Sequence, residues 1–140
     1  MFRHKTKIEI RFSDMDAFKH VNNACYLTYI EQARIIYFND IVGWDYDWSE
    51  KGIILAKATV DFVYPIHIND EVHVYTRCSR IGNKSFDLQY RLIKNEKEKE
   101  ILISDSTSVM VAFDYTKQKS IEVPSEWKDL LRSYEEGNLK

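Results

Sequence analysis

The segment Ser13–Arg34 reads SDMDAFKHVNNACYLTYIEQAR, and the fold turns on it. Two acids, Asp14 and Asp16, stand two residues apart. His20 follows, then Asn22 and Asn23, and the chain runs at once into an apolar pattern. Asparagine is a preferred helix N-cap, so a helix is predicted over 23–40 with Asn22 or Asn23 at its start. Leu27, Ile30, Ala33, Tyr37 and Ile41 recur at 3–4 spacing, while Tyr26, Tyr29, Ile35, Ile36 and Phe38 fill the other faces. A helix that is apolar nearly all round is one to be enclosed rather than laid on a surface. Glu31 and Arg34, three apart on one face, are expected to pair with each other.

Outward from this segment the period is two. Before it, residues 7–13 alternate, with Ile8, Ile10 and Phe12 on one face, which predicts a half-buried strand that Asp14 closes in solvent. GWDYDWSEKG after the helix reads as a loop. Ala56, Ala58, Val60, Phe62 and Tyr64 then face one way until Pro65 ends the run. Strands follow over 71–80 and 86–92, around a Gly-Asn turn, and over 101–114, with KNEKEKE as a solvated hairpin tip. A short amphipathic helix starts near Pro124, with Trp127, Leu130 and Leu131 on its apolar side. One long helix and several long hairpin-linked strands make an antiparallel α+β protein with its sheet wrapped around the helix.

The 140 residues, 44% hydrophobic, fit one domain spanning 1–140. No stretch approaches the roughly 20 apolar residues of a membrane span, and MFRHKTKIEIRF contains no signal-peptide core. No membrane association is expected. A net charge of -2 gives no global basic field for nucleic acid. Four scattered histidines and two cysteines predict no metal site and no disulfide framework, and the simplest setting is cytoplasmic. No cofactor is expected.

The block DMDAFKHVNNACYLTYIEQAR resembles the signature of the hotdog-fold acyl-CoA thioesterases, the group that includes 4-hydroxybenzoyl-CoA thioesterase. DFVYPIHINDEVHV and RIGNKSFDLQYRL are similar to the segments that follow it there, so the resemblance runs from Lys7 to Asp114. It implies a hotdog fold, hydrolysis of an acyl-CoA thioester, and a catalytic acid at Asp16, with Asn23 as the second polar position. It also implies a homodimer or homotetramer with sites between subunits, Thr59 and Val60 being supplied by the partner. Lys19 stands where relatives usually carry glycine, so a positive φ there would be strained.

The chemistry agrees with that implication. A thiolate whose parent thiol has a pKa of about 8.5 leaves without a strong acid. What remains to be supplied is a base or nucleophile, which one carboxylate provides, and donors for the oxyanion, which a helix start provides. Without the resemblance Asp16 reads first as a turn-forming acid. His20, counted among the catalytic residues, reads as an orienting or loop-packing residue rather than the base, and Tyr26 as core first and pocket wall second. Arg80 and Lys84, with Arg91, are candidates for the phosphate-binding rim that coenzyme A needs, against ordinary charged strand positions. Two other functions share the fold: hydrolysis of an acyl group on acyl carrier protein, and acyl-CoA binding without catalysis.

Overall fold

The computed structural model describes residues 1–43, 47–136 and 139; Trp44, Asp45 and Tyr46 of the expected GWDYDWSEKG loop lie outside the described residues. The chain order is β1 (His4–Ile8), a 3-10 turn (Phe12–Asp14), α1 (Asn23–Ile41), β2 (Lys51–Phe62), β3 (Glu71–Ile81), β4 (Ser85–Glu96), β5 (Lys99–Asp114), β6 (Lys119–Ser120) and α2 (Ser125–Glu135). All pairings are antiparallel, in the order β1-β3-β4-β5-β2, with β6 added to β5. The long sheet curls around α1, which is the expected hotdog arrangement.

α1 forms because Asn22 caps it, accepting from Ala24 N–H at 2.9 Å, and because no glycine or proline interrupts it. It stops at Gly43, whose φ of 99° suits the left-handed position after a helix. Tyr26, Tyr29, Ile30, Ala33, Tyr37 and Phe38 are buried, and the helix rests on β1 and β3. Enclosure is incomplete within one chain, since Leu27 and Ile35 remain 45% and 46% exposed.

Three register shifts, at Leu55/Lys57, Cys78/Arg80 and Leu92/Ile93, bend strands of 11–16 residues around the helix. The shift in β2 also reverses its phase. Ile53 and Leu55 face α1 before it, Ala58 and Val60 after it, so the predicted alternation holds only for the second half. At the β3 shift, Cys78 N–H is taken by the buried Glu135 carboxylate of α2 at 2.7 Å. Trp127 and Leu131 seal the same region; each large side chain so buried contributes on the order of 1.5–3 kcal/mol. At the hairpin tip Lys97 and Glu98 have φ of 51° and 65°, the two positive values that a two-residue turn with matching twist requires.

Two expectations at the N-terminus are corrected. The strand is His4–Ile8, not 7–13, and Phe12 is 87% exposed. Its inward residues His4 and Thr6 are polar, so hydrophobic alternation does not report them; His4 is held by Asp40 at 2.7 Å. Asp14 is not solvated but 1% exposed. Its carboxylate accepts from Arg11 N–H at 3.0 Å and from the Arg11 guanidinium at 2.9 Å, which pulls the chain out of the strand and into the 3-10 turn.

Candidate active site

The two acids of the opening segment point to different places. Asp14 faces inward and accepts from Tyr29 Oη at 2.6 Å, tying the approach to α1. Burial pushes its carboxyl group up, but the hydrogen bonds from Tyr29 and Arg11 outweigh this and hold it below the usual carboxylate range. Burial raises the Tyr29 phenol, so it stays protonated and donating.

Asp16 stands in a tight loop that the backbone closes on itself. Asp16 N–H donates to His20 O at 2.8 Å and Lys19 N–H to Asp16 O at 3.0 Å, while Met15 and Val21 bridge across its base. Lys19 has φ 65°, the conformation that suits glycine, at a cost of roughly 1–2 kcal/mol. The half-buried Asp16 carboxylate accepts from Phe18 N–H at 2.9 Å and His20 N–H at 3.4 Å. Both bonds go to Oδ1; Oδ2 takes no bond from any described residue.

The loop delivers the chain to the helix start. Asn22 N–H donates to Asp14 O and Cys25 N–H to Asn22 O, and Ala24 N–H is spent on the cap. Asn23 N–H therefore has no partner among the described residues, at the positive end of a 19-residue helix. Asp16, His20, Asn23 and Tyr26 line one cleft of about 330 Å³, together with Phe18, Val21, Asn22 and Pro65. Tyr26 is the wall: its hydroxyl donates to Tyr64 O at 3.2 Å and its ring meets Phe62 edge-on at 4.9 Å. Burial raises its phenol above the usual value, so it remains neutral. His20 meets His67 edge-on, with ring centroids 5.3 Å apart.

The other four expected site residues are not part of this cleft. Thr59 bonds the Thr107 hydroxyl and Val60 packs at the core edge, both on β2 just before Phe62. Arg80 is bound by Asp87 through two nitrogens at 2.8 and 2.9 Å. Lys84 is exposed in the β3–β4 turn. That turn is ten strand residues from Glu71, about 33 Å at 3.3 Å per residue, whereas the Asp16 loop meets the Glu71 end through Val21 N–H and Ile66 O. Arg91 is engaged with Asp105 at 3.2 Å. The expected Glu31–Arg34 pair does not form; Arg34 donates to Tyr90 Oη instead, at 3.1 Å. Pro65 and His67 escaped sequence reasoning as site residues, since YPIH read only as the end of a strand.

A sheet wrapped around one helix, with an acid in a tight loop before that helix and an open N–H at its first turn, defines a hotdog domain of the thioesterase kind. The chain belongs to the Thioesterase-like superfamily, whose family model matches residues 10–131. Among its relatives is the long-chain acyl-CoA thioesterase FadM of Escherichia coli (strain K12), 23% identical over 137 residues, covering 91% of this chain and 96% of FadM. YsmA of Bacillus subtilis (strain 168), an uncharacterised protein, is 28% identical over 89 residues, covering 64% of this chain and only 60% of YsmA. Among solved structures, a Thermus thermophilus thioesterase crystallised with coenzyme A and zinc superposes with a TM-score of 0.80 at 28% identity, covering 94% of this chain and 92% of that one. Among the described residues of the present chain, no three His, Cys, Asp or Glu side chains converge to hold a metal, and no helix is long and apolar enough to cross a membrane.

Proposed function

We propose that this chain, acting as a single domain over 1–140, hydrolyses an acyl-CoA thioester to the free acid and coenzyme A. The observation that carries this reading is the convergence of Asp16, His20 and Asn23 on one cleft, with Asn23 N–H unclaimed among the described residues. The thioester carbonyl oxygen takes the Asn23 N–H, where the helix start stabilises the charge that develops on it. Asp16 uses its unbonded Oδ2 either to take a proton from the attacking water or to attack the carbonyl carbon itself. The C–S bond then breaks and the thiolate leaves without a general acid; on the second route water afterwards hydrolyses the anhydride between the acyl group and Asp16, releasing the free acid and restoring the carboxylate. His20 orients the loop through its backbone contacts with Asp16, and Tyr26 forms the acyl-side wall. FadM and the Thermus protein, named for acyl-CoA and for bound coenzyme A, support coenzyme A as the carrier.

In this reading the protein is a cytoplasmic homodimer or homotetramer in which the partner's strand around Thr59 and Val60 completes the cleft, and Arg80 and Lys84 rim the phosphates across the subunit boundary. The test is thiol release from a panel of acyl-CoA and acyl carrier protein thioesters. Asp16→Asn is expected to lower turnover by about 10²–10⁴-fold with an unchanged circular dichroism spectrum. Unchanged turnover removes Asp16 from its role, and saturable acyl-CoA binding without thiol release makes the chain a binding module instead.

A further inference from the structure

Lys19 holds a backbone conformation that its own side chain opposes. Its φ of 65° lies in the left-handed region, where a Cβ crowds the following carbonyl. The turn needs that angle. Lys19 N–H donates to Asp16 O at 3.0 Å and Asp16 N–H to His20 O at 2.8 Å, which closes the loop around the Asp16 carboxylate. The turn does not need the lysine, because glycine adopts the same angle without the crowding. Strain of this kind is retained at sites of function, and the group it holds in place here is an ammonium.

Lys19 stands between Phe18 and His20, which both line the Asp16 cleft, and its side chain is exposed. Among the described residues no acid pairs with its ammonium and no group accepts a hydrogen bond from it. Neighbouring basic groups are engaged: Arg11 is held by Asp14 at 2.9 Å, and His67 faces Asp70 at 3.7 Å. The His20 ring packs edge-on against His67. Deeper in the cleft the Asp16 carboxylate turns anions away, and no described residue bonds its Oδ2. An anion drawn to Lys19 therefore stays at the mouth. The substrate class proposed above has the same polarity: its pantetheine arm is uncharged, and its phosphates lie at the outer end.

We propose that Lys19 binds a phosphate of the thioester's carrier at the mouth of the cleft, and that the strained turn is retained because it places this cation there. The inference rests on the hydrolase reading above and adds to it a specificity-determining residue from the same chain. Lysine suits the role as a compact point charge on a flexible stem, able to follow a phosphate without fixing its orientation.

Thiol release from one acyl group on three donors tests this: acyl-pantetheine, which has no phosphate, acyl-CoA, and acyl carrier protein. Lys19→Gly is expected to lower kcat/KM for acyl-CoA about three- to tenfold relative to acyl-pantetheine, through KM rather than kcat. Lys19→Arg, which keeps the charge, is expected to restore most of that loss, and added salt to shrink it. A loss shared by acyl-CoA and acyl carrier protein places the contact at the phosphate both carry; one confined to acyl-CoA places it on the nucleotide. An equal loss for acyl-pantetheine, or none for any donor, overturns the proposal. A loss confined to acyl carrier protein marks a protein contact and overturns it as well. Lys19→Gly should melt no lower than wild type, since glycine relieves the crowding; a clear fall would make the lysine part of the fold and overturn its assigned role. If no thioester is cleaved, the hydrolase reading fails by itself, and calorimetric titration with coenzyme A decides for Lys19. Affinity weakened about three- to tenfold in Lys19→Gly upholds the phosphate contact, whereas equal affinity, or no binding by wild type, overturns it.

Discussion

At the scale of single residues, two aspartates two positions apart have opposite fates because one faces the helix and the other the cleft. Asp14 gathers donors from Tyr29 and Arg11; Asp16 spends one oxygen on its own loop, and among the described residues nothing bonds the other. The Asp14 carboxyl group is held below its unfolded value of about 3.9. Its contribution to stability is therefore present above that value and is lost as pH falls through the folded one. Asp14→Asn is expected to cost about 2–3 kcal/mol at pH 7, since a charged acceptor of several hydrogen bonds is lost. It should also flatten the acid limb below about pH 4. Urea melts across pH check this, and parallel stability curves for the two proteins would count against the role. The role proposed for Asp16 was legible from its place in MDAFKHVNN. The burial of Asp14 was not, because the side chain that stabilises it inside, Tyr29, comes from a helix turn fifteen residues on.

At the scale of elements, α1 was the most legible part of the molecule: predicted over 23–40, observed as Asn23–Ile41. Capping chemistry and 3–4 spacing are local, so local sequence carries them. The structure resolves the cap to Asn22, which frees Asn23 N–H for the cleft. Asn22→Ala is expected to cost about 1 kcal/mol in a denaturation midpoint, whereas Asn22→Ser should restore it. The cap variant should also lower kcat more than it raises KM, because it loosens the donor that meets the oxyanion. An effect on KM alone would place Asn22 outside the reaction. Five of the six strands were legible, though poorly in phase, and the two-residue β6 was not read. The β2 reading goes out of step before Lys57 because the bulge there answers to β5, a strand more than forty residues away in the chain. β1 was displaced for a similar reason: its inward residues are the polar His4 and Thr6, whose partners lie elsewhere.

At the scale of the whole molecule, the sheet leaves β2 unpaired along one edge and α1 open along Leu27 and Ile35. If a second copy covers this face, folding and association are linked, and the melting temperature should rise with protein concentration. Scanning calorimetry over a hundredfold concentration range checks this; a constant melting temperature would indicate that the chain folds and stays alone. By itself, the sequence determined the class of fold, the central helix, the succession of the five longer strands along the chain and the loop that holds Asp16. Hydrophobic period and capping are properties of neighbours in the chain, and they need nothing distant to be read. Only the tertiary structure decided which acid is buried, which asparagine caps, where β2 changes phase, and that Arg34 turns to Tyr90 rather than Glu31. Each of those depends on a partner brought close by the curl of the sheet, and burial sets the worth of a polar contact only once that partner is in place.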